Sequence, residues 1–69
     1  MAAVKNRLRV YRHGLGLTQA ELAEQVGVSR QTINAVENGK YNPSLELALK
    51  ISRLMDAPVR KIFYLGENG

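Results

Sequence analysis

The chain contains no cysteine, one histidine and only six acidic residues among its 69. Without cysteine, neither a disulfide nor a thiolate metal site can staple a fold this small, so its stability has to come from helix packing or a partner subunit. The absence also suits a reducing cytoplasm, where the protein is expected to act. His13 stands beside Gly14 with no cysteine and no pair of acids near it. No glycine-rich phosphate loop and no metal-ligand spacing occurs either, so neither an enzyme nor a bound cofactor or metal is expected. No apolar run approaches the roughly 18 residues of a membrane span, and no signal-peptide core is present near the start. There is no internal repeat and no low-complexity segment. The length permits one domain, expected over residues 1–65, with a flexible tail at 66–69.

Positive charge is what the chain has in excess. Ten Lys and Arg give a net charge of +4 and a pI near 9.9, which favours a polyanionic partner. Lys5, Arg7, Arg9 and Arg12 lie within the first 17 residues with no acid among them, whereas Glu21 and Glu24 make residues 18–28 negative.

The organising stretch is QAELAEQVGVSRQTINAVEN, residues 19–38. Its apolar positions, Leu22, Ala23, Val26, Val28, Ile33 and Val36, are spaced for two short helices joined by a tight turn at Gly27. Thr18 and Glu21 form a capping box that opens one helix over Gln19–Val26, and Leu17 with Leu22 supplies a hydrophobic staple. Ser29 caps the next helix, Arg30 to about Glu37, which Asn38-Gly39 ends. Arg30, Gln31 and Asn34 share the face of that helix opposite Ile33 and Val36, a face suited to the edge of a base pair. The pattern reads as a helix-turn-helix.

Around it, a first helix is expected from Ala2 to about Arg12 or His13, with Val4, Leu8, Tyr11 and Leu15 on its apolar stripe. Lys5, Arg9 and Arg12 repeat that spacing on a neighbouring stripe, either as a solvated face or as phosphate contacts. Ser44 caps a fourth helix over about Leu45–Met55, the most apolar in the chain. Its stripe is too wide for one neighbour, so it is either the central core helix or also touches another subunit. Pro58 then sits in the first turn of a short fifth helix ending at Phe63.

With these residues in view, the chain resembles the phage repressor and Cro-type (XRE) helix-turn-helix family over about residues 5–64. GLTQAELAEQVGVS at 16–29 and SRQTINAVENGKYNPSLE at 29–46 carry the resemblance. It implies an all-α, compact five-helix, lambda-repressor-like DNA-binding domain with the helix-turn-helix at helices 2 and 3. It also implies sequence-specific binding to double-stranded DNA, commonly as a symmetric dimer on a palindromic operator. By the resemblance, Gln19 contacts the DNA backbone, Arg30 and Gln31 reach base edges, and Asn38 and Lys40 approach phosphates. Arg12 and Glu37 match a family ion pair between the first and third helices. Three positions depart from the pattern: Ala35 replaces a frequent base contact, Tyr41 a frequent basic residue, and Tyr11 a common leucine.

Chemistry supports the same division of labour. Arginine suits the paired acceptors of guanine and glutamine the donor–acceptor pair of adenine. Asn34 can reach a base or a phosphate, and Ala35 can pack on a thymine methyl. Ser29 serves as cap or phosphate contact, Thr32 bonds a phosphate or caps backbone, and Tyr41 contacts a phosphate or packs. The expected function is therefore a transcriptional regulator, a repressor, reading an operator as a homodimer through residues 30–37. Leu47, Leu54, Tyr64 and Leu65 are the expected dimer surface. An antitoxin-like module binding an unidentified protein, or a restriction–modification controller, is the alternative.

Overall fold

The structure is a computed structural model and describes residues 4–66. The elements run β1 (Val4–Asn6), α1 (Leu8–Gly14), α2 (Gln19–Val26), α3 (Arg30–Glu37), α4 (Leu45–Met55), α5 (Val59–Ile62) and β2 (Phe63–Leu65). The five expected helices are there, joined by a two-stranded antiparallel sheet that the sequence pattern did not disclose. Val4 pairs with Leu65, Lys5 with Tyr64 and Asn6 with Phe63. The Arg7 amide extends the seam by donating to the Ile62 carbonyl at 2.8 Å, and the Arg7 guanidinium lies 4.5 Å from the Tyr64 ring centroid.

This sheet corrects the start of the first helix. The expected start at Ala2 lies outside the described residues, and the helix itself begins at Leu8. Val4 and Lys5 belong to β1, so they do not extend the helical stripes of Leu8 and Tyr11 or of Arg9 and Arg12. Asn6 makes the break: its Oδ1 accepts the Leu8 amide at 3.0 Å while its Nδ2 donates to the Val36 carbonyl at 2.9 Å. One side chain thus starts α1 and ties it to the end of α3. Leu15 falls beyond the helix and is exposed rather than on the apolar stripe. At the other end, α5 stops at Ile62, Phe63 turns into β2, and Pro58 occupies the cap position rather than the first turn. Of the expected tail at 66–69, all but Gly66 lies outside the described residues.

The core gathers one stripe from every helix: Leu8 from α1, Leu22, Ala23 and Val26 from α2, Ile33 and Val36 from α3, Leu47, Ala48, Ile51 and Met55 from α4, and Ile62 from α5, closed by Phe63. α4 is the central core helix, yet it leaves Leu45 and Leu49 exposed at 74% and 54%.

Local chemistry fixes the corner between α2 and α3. Thr18 accepts the Glu21 amide at 3.0 Å and the Glu21 carboxylate accepts the Thr18 amide at 2.8 Å, completing the capping box. The carboxylate's bonds from the Thr18 backbone first, and from the Thr18 hydroxyl second, hold the Glu21 carboxyl below its ordinary pKa. At the far end Gly27 has φ +76°, and the Val28 amide reaches back to the Ala23 carbonyl at 3.0 Å. That six-to-one closure needs a left-handed residue between its two ends. A Cβ at Gly27 would meet nothing within 4 Å, so a substitution there is resisted by the backbone alone. Gly27→Ala is expected to lose about 1 kcal/mol in urea unfolding, with Gly27→Asn losing less because asparagine tolerates this region better. Equal losses for both would show that something other than backbone conformation is at stake.

Candidate nucleic-acid interface

The Ser29 hydroxyl accepts the Thr32 amide at 3.1 Å and lies 3.0 Å from the Thr32 hydroxyl, so both side chains are used in starting α3. From that cap the helix presents Arg30, Gln31 and Asn34 to solvent and buries Ile33 and Val36. Thr32 and Ala35 are half-buried at the margins of the exposed face. Ile33 is fully buried, which pins the rotation of α3 about its own axis and so decides which side chains face outward. After α3, Asn38, Lys40 and Tyr41 are exposed in the connection to α4. Gly39 there has φ +71°, and the Lys40 amide returns to the Ala35 carbonyl at 2.9 Å.

Beneath the exposed face lies a charged cluster. The Glu37 side chain is 0% exposed and that of Arg12 is 9% exposed. Arg12 Nε donates to Glu37 Oε2 at 2.6 Å and Arg12 Nη2 to Glu37 Oε1 at 3.2 Å, a two-pronged pair, while Nη1 donates to the Leu17 carbonyl at 2.9 Å. Arg9 Nε adds a bond to Glu37 Oε1 at 3.4 Å. Gln19 Nε2 adds another at 3.0 Å. Three side chains from two helices, α1 and α2, therefore converge on one carboxylate at the end of α3. Burial is the largest single influence on Glu37 and opposes its charge. The bonds from Arg12 and Gln19, the Arg12 charge and the Arg9 bond together outweigh it and hold the carboxyl below its ordinary pKa.

A carboxyl lowered in the folded state stabilises the fold above the unfolded pKa of about 4.3, and that contribution disappears as pH falls through the lower folded value. Thermal scans from pH 5 down to pH 2.5 should accordingly show a steeper acid loss in the wild type than in Glu37→Gln, which has no such proton to take up. Parallel slopes would remove Glu37 from the acid transition.

The structure brings together residues that the sequence treated separately. Gln19, read as a backbone contact, also donates to Asn34 Oδ1 at 3.3 Å, and Asn38 Nδ2 donates to the same oxygen at 3.2 Å. Arg9 was visible only as part of a basic stripe; it bonds both Glu37 and Asn38 Oδ1. Its one signal was the spacing Arg9–Arg12, which is too common to single it out. Among the expected dimer residues, Leu47 is corrected: it is 5% exposed and belongs to the chain's own core. Leu54 is half-buried against that core, Tyr64 is half-buried beside Arg7, and Leu65 is exposed. Among the described residues no three His, Cys, Asp or Glu side chains group as metal ligands, and no helix is long and apolar enough to cross a membrane.

The helix-turn-helix family model matches residues 8–62, from the first residue of α1 to the last of α5. The chain belongs to this helix-turn-helix family. A helix-turn-helix-type transcriptional regulator of Methanocaldococcus jannaschii, itself uncharacterised, is 52% identical over 60 residues, covering 87% of this chain and 91% of the relative. Another, from Bacillus subtilis, is 44% identical over 64 residues, covering 93% and 97%. Among solved structures, the P22 c2 repressor in complex with a synthetic operator superposes with a TM-score of 0.75 at 31% identity, covering 78% of this chain and 82% of that one. The restriction–modification controller protein C.AhdI from Aeromonas hydrophila superposes at 0.72 with 38% identity, covering 80% of each chain. The fold of this helix-turn-helix protein is that of the phage repressors.

Proposed function

We propose that this helix-turn-helix protein is a transcriptional regulator, not an enzyme, that binds double-stranded DNA in the cytoplasm and represses by occupying a palindromic operator as a homodimer. The observation that carries the reading is α3: capped at Ser29, locked in rotation by Ile33 and Val36, it exposes Arg30, Gln31 and Asn34 together. Arg30 and Gln31, at the helix start, reach base edges when the helix enters the major groove, and Ala35 offers a methyl at the margin. Gln19, Ser29, Thr32, Asn38, Lys40 and Tyr41 line the approach to the phosphates, where short polar groups and helix ends serve as well as charges.

The dimer follows from information content, since one recognition helix covers too few base pairs to find a site in a genome. Two copies about 34 Å apart would read successive major grooves on one side of the duplex. Leu45 and Leu49, one turn apart on α4, and Leu65 on β2 are the exposed apolar groups best suited to the contact between copies. With Leu47 buried in the core, the proposed surface uses Leu45 and Leu49 on α4 in its place.

Selection from a random duplex library should return a palindrome, and sedimentation should show dimers at high concentration or on that DNA. A non-palindromic motif bound by monomers at every concentration would contradict the dimer; no enrichment over bulk DNA would contradict the regulator. A restriction–modification controller is a second reading, supported by the likeness to C.AhdI. Neighbouring methyltransferase and endonuclease genes would distinguish it.

A further inference from the structure

Asn34 is exposed in the middle of the reading face, and its amide could in principle offer DNA an acceptor, a donor or both. Two charged groups at either end of a hydrogen-bond chain remove that freedom. At one end is Glu37, whose carboxylate only accepts. Gln19 must therefore turn its NH2 toward Glu37 Oε1, 3.0 Å away, and the same nitrogen donates onward to Asn34 Oδ1 at 3.3 Å. At the other end is Arg9, whose guanidinium only donates. Asn38 must turn its carbonyl oxygen toward Arg9 Nη2, 3.3 Å away, and its NH2 then faces Asn34 Oδ1 at 3.2 Å. An amide's oxygen and nitrogen are nearly identical in shape, so the charged ends, and not shape, set the direction of every amide between them.

Both neighbours thus present donors to Asn34, and a flipped Asn34 would set N–H against N–H on two sides. Its carbonyl has two lone pairs, and the two donors use both. We infer that Gln19 and Asn38 fix Asn34 as a donor-only reading group, selecting a base with acceptors in the major groove, guanine O6 and N7 or thymine O4, and rejecting the adenine that a free asparagine would favour. Adenine needs an acceptor for N6–H as well as a donor for N7. The usual asparagine–adenine pairing is therefore closed to this residue, and Gln19 and Asn38 act on specificity as positioning residues through it.

The inference rests on the DNA-reading proposal above, and the test separates the two. Random-library selection is run on the full chain, wild type and Asn34→Asp. The aspartate keeps an inward oxygen for Gln19 and Asn38 but turns its outward group from donor to acceptor. One position in each half-site should change from guanine or thymine to cytosine or adenine, whose amino groups donate. On single-position duplexes the wild type should prefer guanine over adenine by roughly tenfold, Asn34→Asp should invert that order, and Asn34→Ala should flatten it. Freeing the amide with Gln19→Ala/Asn38→Ala should bring adenine within about twofold of guanine at that position alone. Adenine at the Asn34-dependent position of the wild-type motif would overturn the inference, as would a motif that Asn34→Asp merely weakens at all positions. In either case the DNA-reading proposal would stand. A wild type that enriches no duplex overturns that proposal, and the inference with it.

Discussion

Replacing Glu37 with alanine should destabilise the protein by about 3–5 kcal/mol, because it leaves the Arg12 guanidinium buried with only the Leu17 carbonyl for a partner. Domains of this length have roughly 3–10 kcal/mol in all, so the variant should be substantially unfolded at 37 °C. The size of the effect follows from burial. An exposed pair such as Lys50–Glu46, 2.8 Å long, contributes little because water and salt screen it. The Arg12–Glu37 pair has no such screening, and its carboxylate also anchors Arg9 and Gln19. Replacing both partners by apolar residues, as in Arg12→Met/Glu37→Leu, should recover much of the loss, since no unpaired charge then remains. Urea unfolding with the denaturant slope held fixed measures both variants. A loss below about 1 kcal/mol for Glu37→Ala would make the pair incidental to the fold.

The second large effect is on recognition. A bidentate contact from Arg30 to guanine is worth about 1–3 kcal/mol of discrimination, and a symmetric dimer uses it twice. Arg30→Ala should therefore lower affinity for the selected duplex by about 2–6 kcal/mol, from about 30-fold to about 20,000-fold. Binding to bulk DNA should fall only by the loss of one positive charge per protomer. Lys40→Ala is the control with the opposite signature: it should weaken all sequences alike and reduce the salt slope by about one unit per protomer. Comparable losses on specific and bulk DNA for Arg30→Ala would place that side chain on a phosphate and not on a base.

The helix-turn-helix was legible because local rules specify it. Thr18 with Glu21, Ser29, and the glycines at 27 and 39 mark helix ends within a few residues of one another, and each mark was realised. The terminal sheet was not legible. Its strands have three residues each, they pair across nearly the whole chain, and Val4 fits a helical stripe with Leu8 as readily as a strand. The pairing with β2 and the bonds of Asn6 to Leu8 and Val36 hold the strand instead. The exposed face of α3, the proposed reading face, was readable as residue types at a spacing. The chain from Glu37 and Arg9 through Gln19 and Asn38 to Asn34 was not, because it joins α1, α2 and α3 and the segment beyond through side-chain geometry. Leu47 illustrates the same limit, since a wide apolar helix does not reveal which of its leucines the fold covers.

The central claim is that this chain reads duplex sequence through α3. It is tested most directly by titrating the full chain against the most enriched duplex and a scrambled duplex of equal length at about 0.15 M salt, by fluorescence anisotropy. The account predicts a preference for the selected duplex of about 1,000-fold or more. Equal affinity for the two would contradict it.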